Sequence, residues 1–170
     1  MKSGEILGMI GACIGLLSII FSFIFPELSW YKYEVTDEVL ELTSGAYLTG
    51  FGTYISTGTM ATPDIAILML IGGILIVIGS VLCIVSVVKE LKIIGVSGGI
   101  LILLGPVLLI IDLLTGMSEI AETISTIDPN VNMFWDSFSE SGITFSWGLW
   151  IGFYIALAGG ILGLIGGALV

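Results

Sequence analysis

Four runs along the chain, 6–25, 65–88, 93–114 and 147–170, carry almost no charged or polar positions. Each is close to the ~20 residues that a helix needs to cross a bilayer at ~1.5 Å per residue. The pattern therefore predicts four transmembrane helices. The gaps between them differ sharply: 39 residues at 26–64, four at 89–92 and 32 at 115–146. The short gap makes the second and third helices an antiparallel hairpin. The run at 6–25 follows MKSGE, a start that signal peptides also use. It is long for that role and no A-x-A-like site follows it, so it reads as the first span.

Inside the long gaps the period changes. WYKYEV alternates, with Trp30, Lys32 and Glu34 on one side and Tyr31, Tyr33 and Val35 on the other, the mark of a half-buried strand. YLTGFGTYIS is rich in aromatic, Thr and β-branched residues and reads as a second strand, with Gly50 and Gly52 marking a bulge or a close backbone approach. Met117, Ile120, Ile124 and Ile127 recur at helical spacing. The third helix is therefore expected to continue past the membrane by two or three turns, until Asp128-Pro129-Asn130 stops it. VNMFWDSF and GITFSW have strand-like content and would bring the sheet to four strands. The expected fold is a single domain, 1–170, of the all-α membrane class. It is a four-transmembrane-helix bundle carrying a small extracellular antiparallel β-sheet over segments 26–64 and 115–146.

Composition supports a lipid surrounding: hydrophobic residues make up 56% and charged residues 11%, far from the balance of a soluble domain. It also excludes chemistries. The chain has no His and no Arg, which rules out a histidine base or metal ligand and an arginine clamp on phosphate. With a net charge of −10 it offers no basic face to nucleic acid. Nothing resembles a nucleophile with its base, so no enzyme and no cofactor are expected. Cys13 and Cys83 both fall inside apolar runs and read as small buried hydrophobes.

The four lysines set an orientation. Lys2 precedes the first run and Lys89 and Lys92 stand in the short gap, all on one side of a four-span chain. Lysine near span ends marks the cytoplasmic side, which predicts a multi-pass protein of the cell membrane with both termini inside. The outer segments then hold eleven carboxylates against the single base Lys32. Their densest cluster, TDEVLEL, makes Asp37, Glu38 and Glu41 candidate ion contacts. A solvated acidic face is the preferred reading, since no D-x-D-x-D-G loop is present. Asp112 is the one ionisable residue inside the runs as drawn and is a further candidate ion contact. Only Leu113 and Leu114 follow it in its run, so it is expected at the interface.

Glycine is the informative residue within the spans. Gly11 and Gly15, Gly95 and Gly99, and the ladder Gly159, Gly163, Gly167 recur at one-turn spacing, which lets helix backbones approach closely. The ladder packs either inside its own bundle, the preferred reading, or against a neighbouring subunit. Pro106 is expected to bend the third helix.

Several segments together resemble the claudin superfamily, which includes peripheral myelin protein and the calcium-channel gamma subunits. FPELSW after the first span is similar to the family's Pro-x-Trp segment, and TGFGTY stands where the family has Gly-Leu-Trp. FSWGLWIGFYIALAGGILGLIGGAL resembles its fourth helix. The resemblance implies a left-handed four-helix bundle under an extracellular sheet, with Trp30 wedged where sheet meets membrane. The chain departs from the family in lacking its cysteine pair and the Arg near the first Trp, and it has no N-x-[ST] sequon; with the fourth run reaching Val170, no scaffold-binding cytoplasmic tail is expected. A prokaryotic, archaeal analogue is the expectation. The expected role is structural or adhesive, through contact with another membrane or extracellular protein or with a second copy. The alternative is a subunit or accessory component of a channel or transporter. The run 151–170 has only Tyr154 as a polar-tipped residue, which disfavours a pore through one chain.

Overall fold

A computed structural model describes residues 2–61, 63–117, 119–127 and 132–170 of the chain. Four long helices dominate it: α1 (Ser3–Ile24), α2 (Ile67–Lys89), α3 (Lys92–Thr115) and, after a short α4 (Glu119–Ile127), α5 (Ile151–Leu169). These four are long and apolar enough to cross a membrane. Their outward faces expose large apolar side chains such as Ile20, Ile78, Val107 and Ile161, a surface that water would not tolerate over such an area. The chain is a multi-pass membrane protein.

Each long helix packs on two others, α1 on α2 and α5, α3 on α2 and α5. Lipid tails are as apolar as Leu, so no hydrophobic drive pulls the helices together and close backbone contact must serve instead. Gly11 meets the backbone of Gly159 and Gly163, Gly8 that of Gly166, Gly99 that of Gly163 and Leu164, and Gly79 that of Gly98. Ala12, Ile19, Met69, Ile76, Cys83, Ile102 and Leu109 fill the remaining interior. The buried Ser18, Ser22 and Ser86 hydroxyls donate to the carbonyls of Gly15, Ile19 and Cys83 in their own helices, so none needs a partner across the bundle.

At one end of the bundle stands a sheet of β1 (Tyr31–Asp37), β2 (Leu42–Leu48), β3 (Tyr54–Thr57), β4 (Trp135–Glu140) and β5 (Ile143–Leu149). All pairs are antiparallel, in the order β3-β2-β1-β5-β4. The two interhelical segments are thus joined through β1 and β5, with Tyr33 facing Ala46 on one side and Trp147 on the other.

The expected boundaries need correction at several points. The sheet has five strands, not four. YLTGFGTYIS is two strands, the end of β2 and β3, because Thr49 N–H donates to the Thr53 carbonyl and Gly52 N–H to the Thr49 carbonyl, closing a turn. Trp147 does not open the fourth span. It lies in β5, paired with Tyr33, and the helix starts four residues later at Ile151. Apolar content is continuous there, but the period switches from two to 3.6 at Trp150. The third helix does not run on. It ends at Thr115, capped by Gly116 in the left-handed region at φ 65°, and α4 is a separate helix. The expected stop at Asp128-Pro129-Asn130 lies outside the described residues. α1 begins at Ser3, which brings Glu5 into the first turn as a capping residue whose carboxylate accepts from Lys2 N–H at 2.9 Å. Pro106 sits buried inside α3, which continues through it, although the ring deprives the Ile102 carbonyl of its helical donor.

Candidate functional site

The sheet is fixed to the bundle around Trp30, which is fully buried. The chain reaches it from α1 through a single 3-10 turn, Pro26–Leu28. Its backbone N–H donates to the Leu48 carbonyl at 2.8 Å, and its carbonyl accepts from Trp150 N–H at 2.9 Å. Trp30 therefore links β2 to the start of α5. Its indole Nε1 donates to the Ser18 carbonyl of α1 at 3.3 Å. Gly50 and Gly152 lie against the indole: a Cβ on Gly152 would collide with it, and one on Gly50 would press on it at 3.1 Å. Gly50 N–H also donates to Ser22 Oγ at 2.9 Å, a second tie to α1. Gly52 supplies a third tie, its carbonyl accepting from Ala66 N–H just before α2 while its φ of 74° favours glycine. Ser22 and Gly152 were not singled out from the sequence; small residues at helix ends carry no signal until the partner element is known.

The α5 ladder is buried between two helices of the same chain. Gly159 meets Gly11 and Gly15 of α1, Gly163 meets Gly11 on that side and Gly99 on the other, and Gly167 meets Gly95 and Val96 of α3.

The two faces of the sheet differ. On one, Tyr31, Tyr33, Ala46, Leu48, Tyr54 and Trp147 are buried. The segment before β4 crosses this face, because Tyr31 Oη donates to the Met133 carbonyl at 2.8 Å and Trp147 Nε1 to that of Asn132 at 3.0 Å. Burial raises the Tyr31 and Tyr33 phenols above their usual range. On the other face a polar ladder runs down from the helix junction. Lys32 Nζ lies 3.9 Å from the centre of the Trp150 ring and 3.0 Å from Glu34 Oε2, while Tyr47 Oη donates to Glu34 Oε1 at 2.7 Å. Tyr47 is pushed up to about 12, first by burial and then by its hydrogen bond to the Glu34 carboxylate.

The sequence-selected carboxylates are not gathered into one site. Asp37 Oδ1 accepts from Val39 and Leu40 N–H, both at 2.9 Å, and so shapes the β1–β2 turn. Glu38 Oε1 accepts from Thr144 Oγ1 at 2.8 Å. Glu41 closes the turn in the left-handed region, at φ 54°. Among the described residues no group of three or more His, Cys, Asp or Glu is placed to hold a metal ion. Asp112 stands apart from these, one turn before the end of α3 as its position implied, but buried at 1% exposure rather than open to the interface. It borders a cavity of about 220 Å³ with Ile65, Ile67, Leu68 and Met117.

At the end of the sheet remote from the helices the surface turns apolar. Val39, Leu40 and Leu42 are 80%, 65% and 61% exposed. No model of a known family matches the chain, and no curated protein matches it. The chain's function must therefore be read from this geometry.

Proposed function

We propose that the chain is a non-enzymatic protein of the cell membrane, both termini cytoplasmic, whose outer sheet binds another protein. The observation that carries this reading is the position of Val39, Leu40 and Leu42. β1 leaves the bundle at Tyr31 and reaches the turn at Asp37, ~20 Å further on at ~3.3 Å per residue. Lipid that covers the helices does not cover side chains there, and exposed apolar groups on a polar surface mark a contact with protein. The joints at Trp30, Gly50 and Gly52 support the same reading, since they hold the sheet in one pose and lower the entropy lost on binding.

The orientation rests on the far end. Lys2 Nζ lies 3.2 Å from Glu90 Oε2 in the α2–α3 turn, so Lys2, Lys89 and Lys92 gather opposite the sheet. A sheet built from the segments after the first and third spans supports distant kinship with claudin-like tetraspan proteins. The filled bundle interior weighs against a conduction path through one chain; membership of a transport complex as an accessory subunit is the alternative outcome. The test is the native mass of the chain extracted with its surrounding lipid into nanodiscs. A second polypeptide, or a second copy, held in stoichiometric amount supports the proposal. A lone 17.9 kDa chain under every mild extraction contradicts it.

A further inference from the structure

Resting on that reading, we infer that the membrane-distal tip of the sheet is the docking site, and that its partner presents an apolar side chain flanked by Lys or Arg. A groove of about 530 Å³ opens at the tip. Val35, Leu40, Leu42, Ser44, Met60 and Ile143 are among the residues that line it. The volume lies within the ~300–1,000 Å³ range of pockets that hold a ligand, and here suits one or two side chains.

The groove is held open by the backbone around it. Asp37 fixes the turn that carries Leu40 by accepting from two of its N–H groups. Glu38 N–H donates to the Gly142 carbonyl at 2.9 Å, and its carboxylate accepts from Thr144. The β1–β2 and β4–β5 turns are thus bonded to each other. Ser44 Oγ accepts from Thr59 N–H at 3.1 Å and so ties down the segment that leads to Met60. The apolar side chains therefore stay exposed because their backbone is pinned, a surface formed before its partner arrives.

Charge selects the partner. Asp37 lines the groove, Glu38 and Glu41 stand on the same turn, and Glu140 is paired across from Ile143. The only lysine on the sheet side of the chain, Lys32, points to the other face and is held by Glu34 and Trp150. A second copy docking tip to tip would bring carboxylates against carboxylates with an apolar contact too small to offset them. A cationic segment with an apolar anchor satisfies both features of the groove.

The experiment uses the full chain in nanodiscs and three short synthetic peptides. One has a central Leu-Phe pair flanked by lysines, one the same pair flanked by glutamates, one a Ser-Ser pair flanked by lysines. Fluorescence anisotropy should show the first binding at least about ten-fold tighter than either control, with the advantage over the glutamate peptide shrinking as salt is raised to ~0.5 M. Leu40→Ser with Leu42→Ser should abolish the preference for Leu-Phe. Glu41→Lys with Glu140→Lys should move the preference toward the glutamate-flanked peptide. Both pairs alter exposed side chains and should leave the melting temperature unchanged, which the same samples report. Equal binding of the Ser-Ser and Leu-Phe peptides, or binding of none, overturns the inference. So does burial of a polarity-sensitive probe at Leu40 in added phosphatidylcholine vesicles, which would make the tip a lipid contact. Photocrosslinks to a protein from Tyr47 or Trp135, neither of which lines the groove, with a silent tip would leave the interaction role standing and remove the tip from it.

Discussion

The indole nitrogen of Trp30 donates to the carbonyl of Ser18, 3.3 Å away, and through that contact the residue that leads into the sheet is seated on the first helix. Deleting a buried aromatic costs about 3–5 kcal/mol. Trp30→Ala is therefore expected to lower the unfolding temperature in detergent well below that of Trp135→Ala, whose side chain is 64% exposed. Trp30→Phe, which keeps most of the burial and loses the hydrogen bond, should fall between them, about 1 kcal/mol below wild type for the bond itself. Equal losses for the two alanine variants would remove Trp30 as the anchor.

The glycine ladder predicts an order of effects and not a uniform one. A Cβ at Gly11 or Gly167 would run into the backbone of a neighbouring helix, whereas one at Gly163 meets Cys83 Sγ at 3.3 Å and the Gly99 Cα at 3.4 Å. Overpacking costs about 1–3 kcal/mol, while Gly to Ala within a helix returns up to ~1 kcal/mol. Gly11→Ala and Gly167→Ala should be clearly destabilised and Gly163→Ala nearly neutral, with Gly163→Leu losing folded yield. Three equal alanine variants would show that backbone contact does not hold α5 in place.

Tyr47 supplies a pH test. Its folded value, about 12, exceeds the ~10 of an unfolded chain, so between these values the unfolded state releases a proton that the folded state keeps. Stability should be flat in this respect below about pH 10, fall from there to about pH 12, and fall less steeply in Tyr47→Phe. Ultraviolet absorbance titration of wild type against that variant reads the ionisation directly. A Tyr47 phenol titrating near 10 in the folded protein would contradict both its burial and its bond to Glu34.

Orientation is tested with single cysteines in a background without Cys13 and Cys83. Cysteines at Glu38 and Asn132, both exposed on the sheet side, should react with an impermeant thiol reagent on intact cells. One at Glu90, exposed at the lysine end, should react only after lysis. The reverse pattern would place the sheet in the cytoplasm.

The parts of this fold that the sequence makes legible are those with a strong local period. The four spans stand out because each run is as long as a bilayer is thick, and β1 because Tyr31, Tyr33 and Val35 alternate with charge. The turn at Thr49–Thr53 was not legible, because the Thr49–Thr53 hydrogen bond that closes it is indistinguishable in sequence from a bulge at Gly50 and Gly52. Trp147 is ambiguous in sequence for a related reason. Its apolarity fits a helix and a strand equally, and only its pairing with Tyr33, more than a hundred residues away, decides between them. Among the candidate contacts, Asp37 shows the limit most plainly. Composition marks it as a carboxylate in an acidic cluster, while the two backbone N–H groups it accepts from make it the residue that shapes the tip.

If the protein works by contact through its sheet, a partner must lie against the sheet in the native membrane. Site-specific photocrosslinking in the membranes of producing cells tests it most directly, with probes at the sheet positions Leu40, Thr43 and Phe138 and at the lipid-facing positions Ile20 and Ile161, all exposed. Discrete protein adducts are expected from one or more sheet positions and none from the helix pair. Adducts confined to Ile20 and Ile161, with every sheet position silent, would contradict it and move the working surface into the membrane.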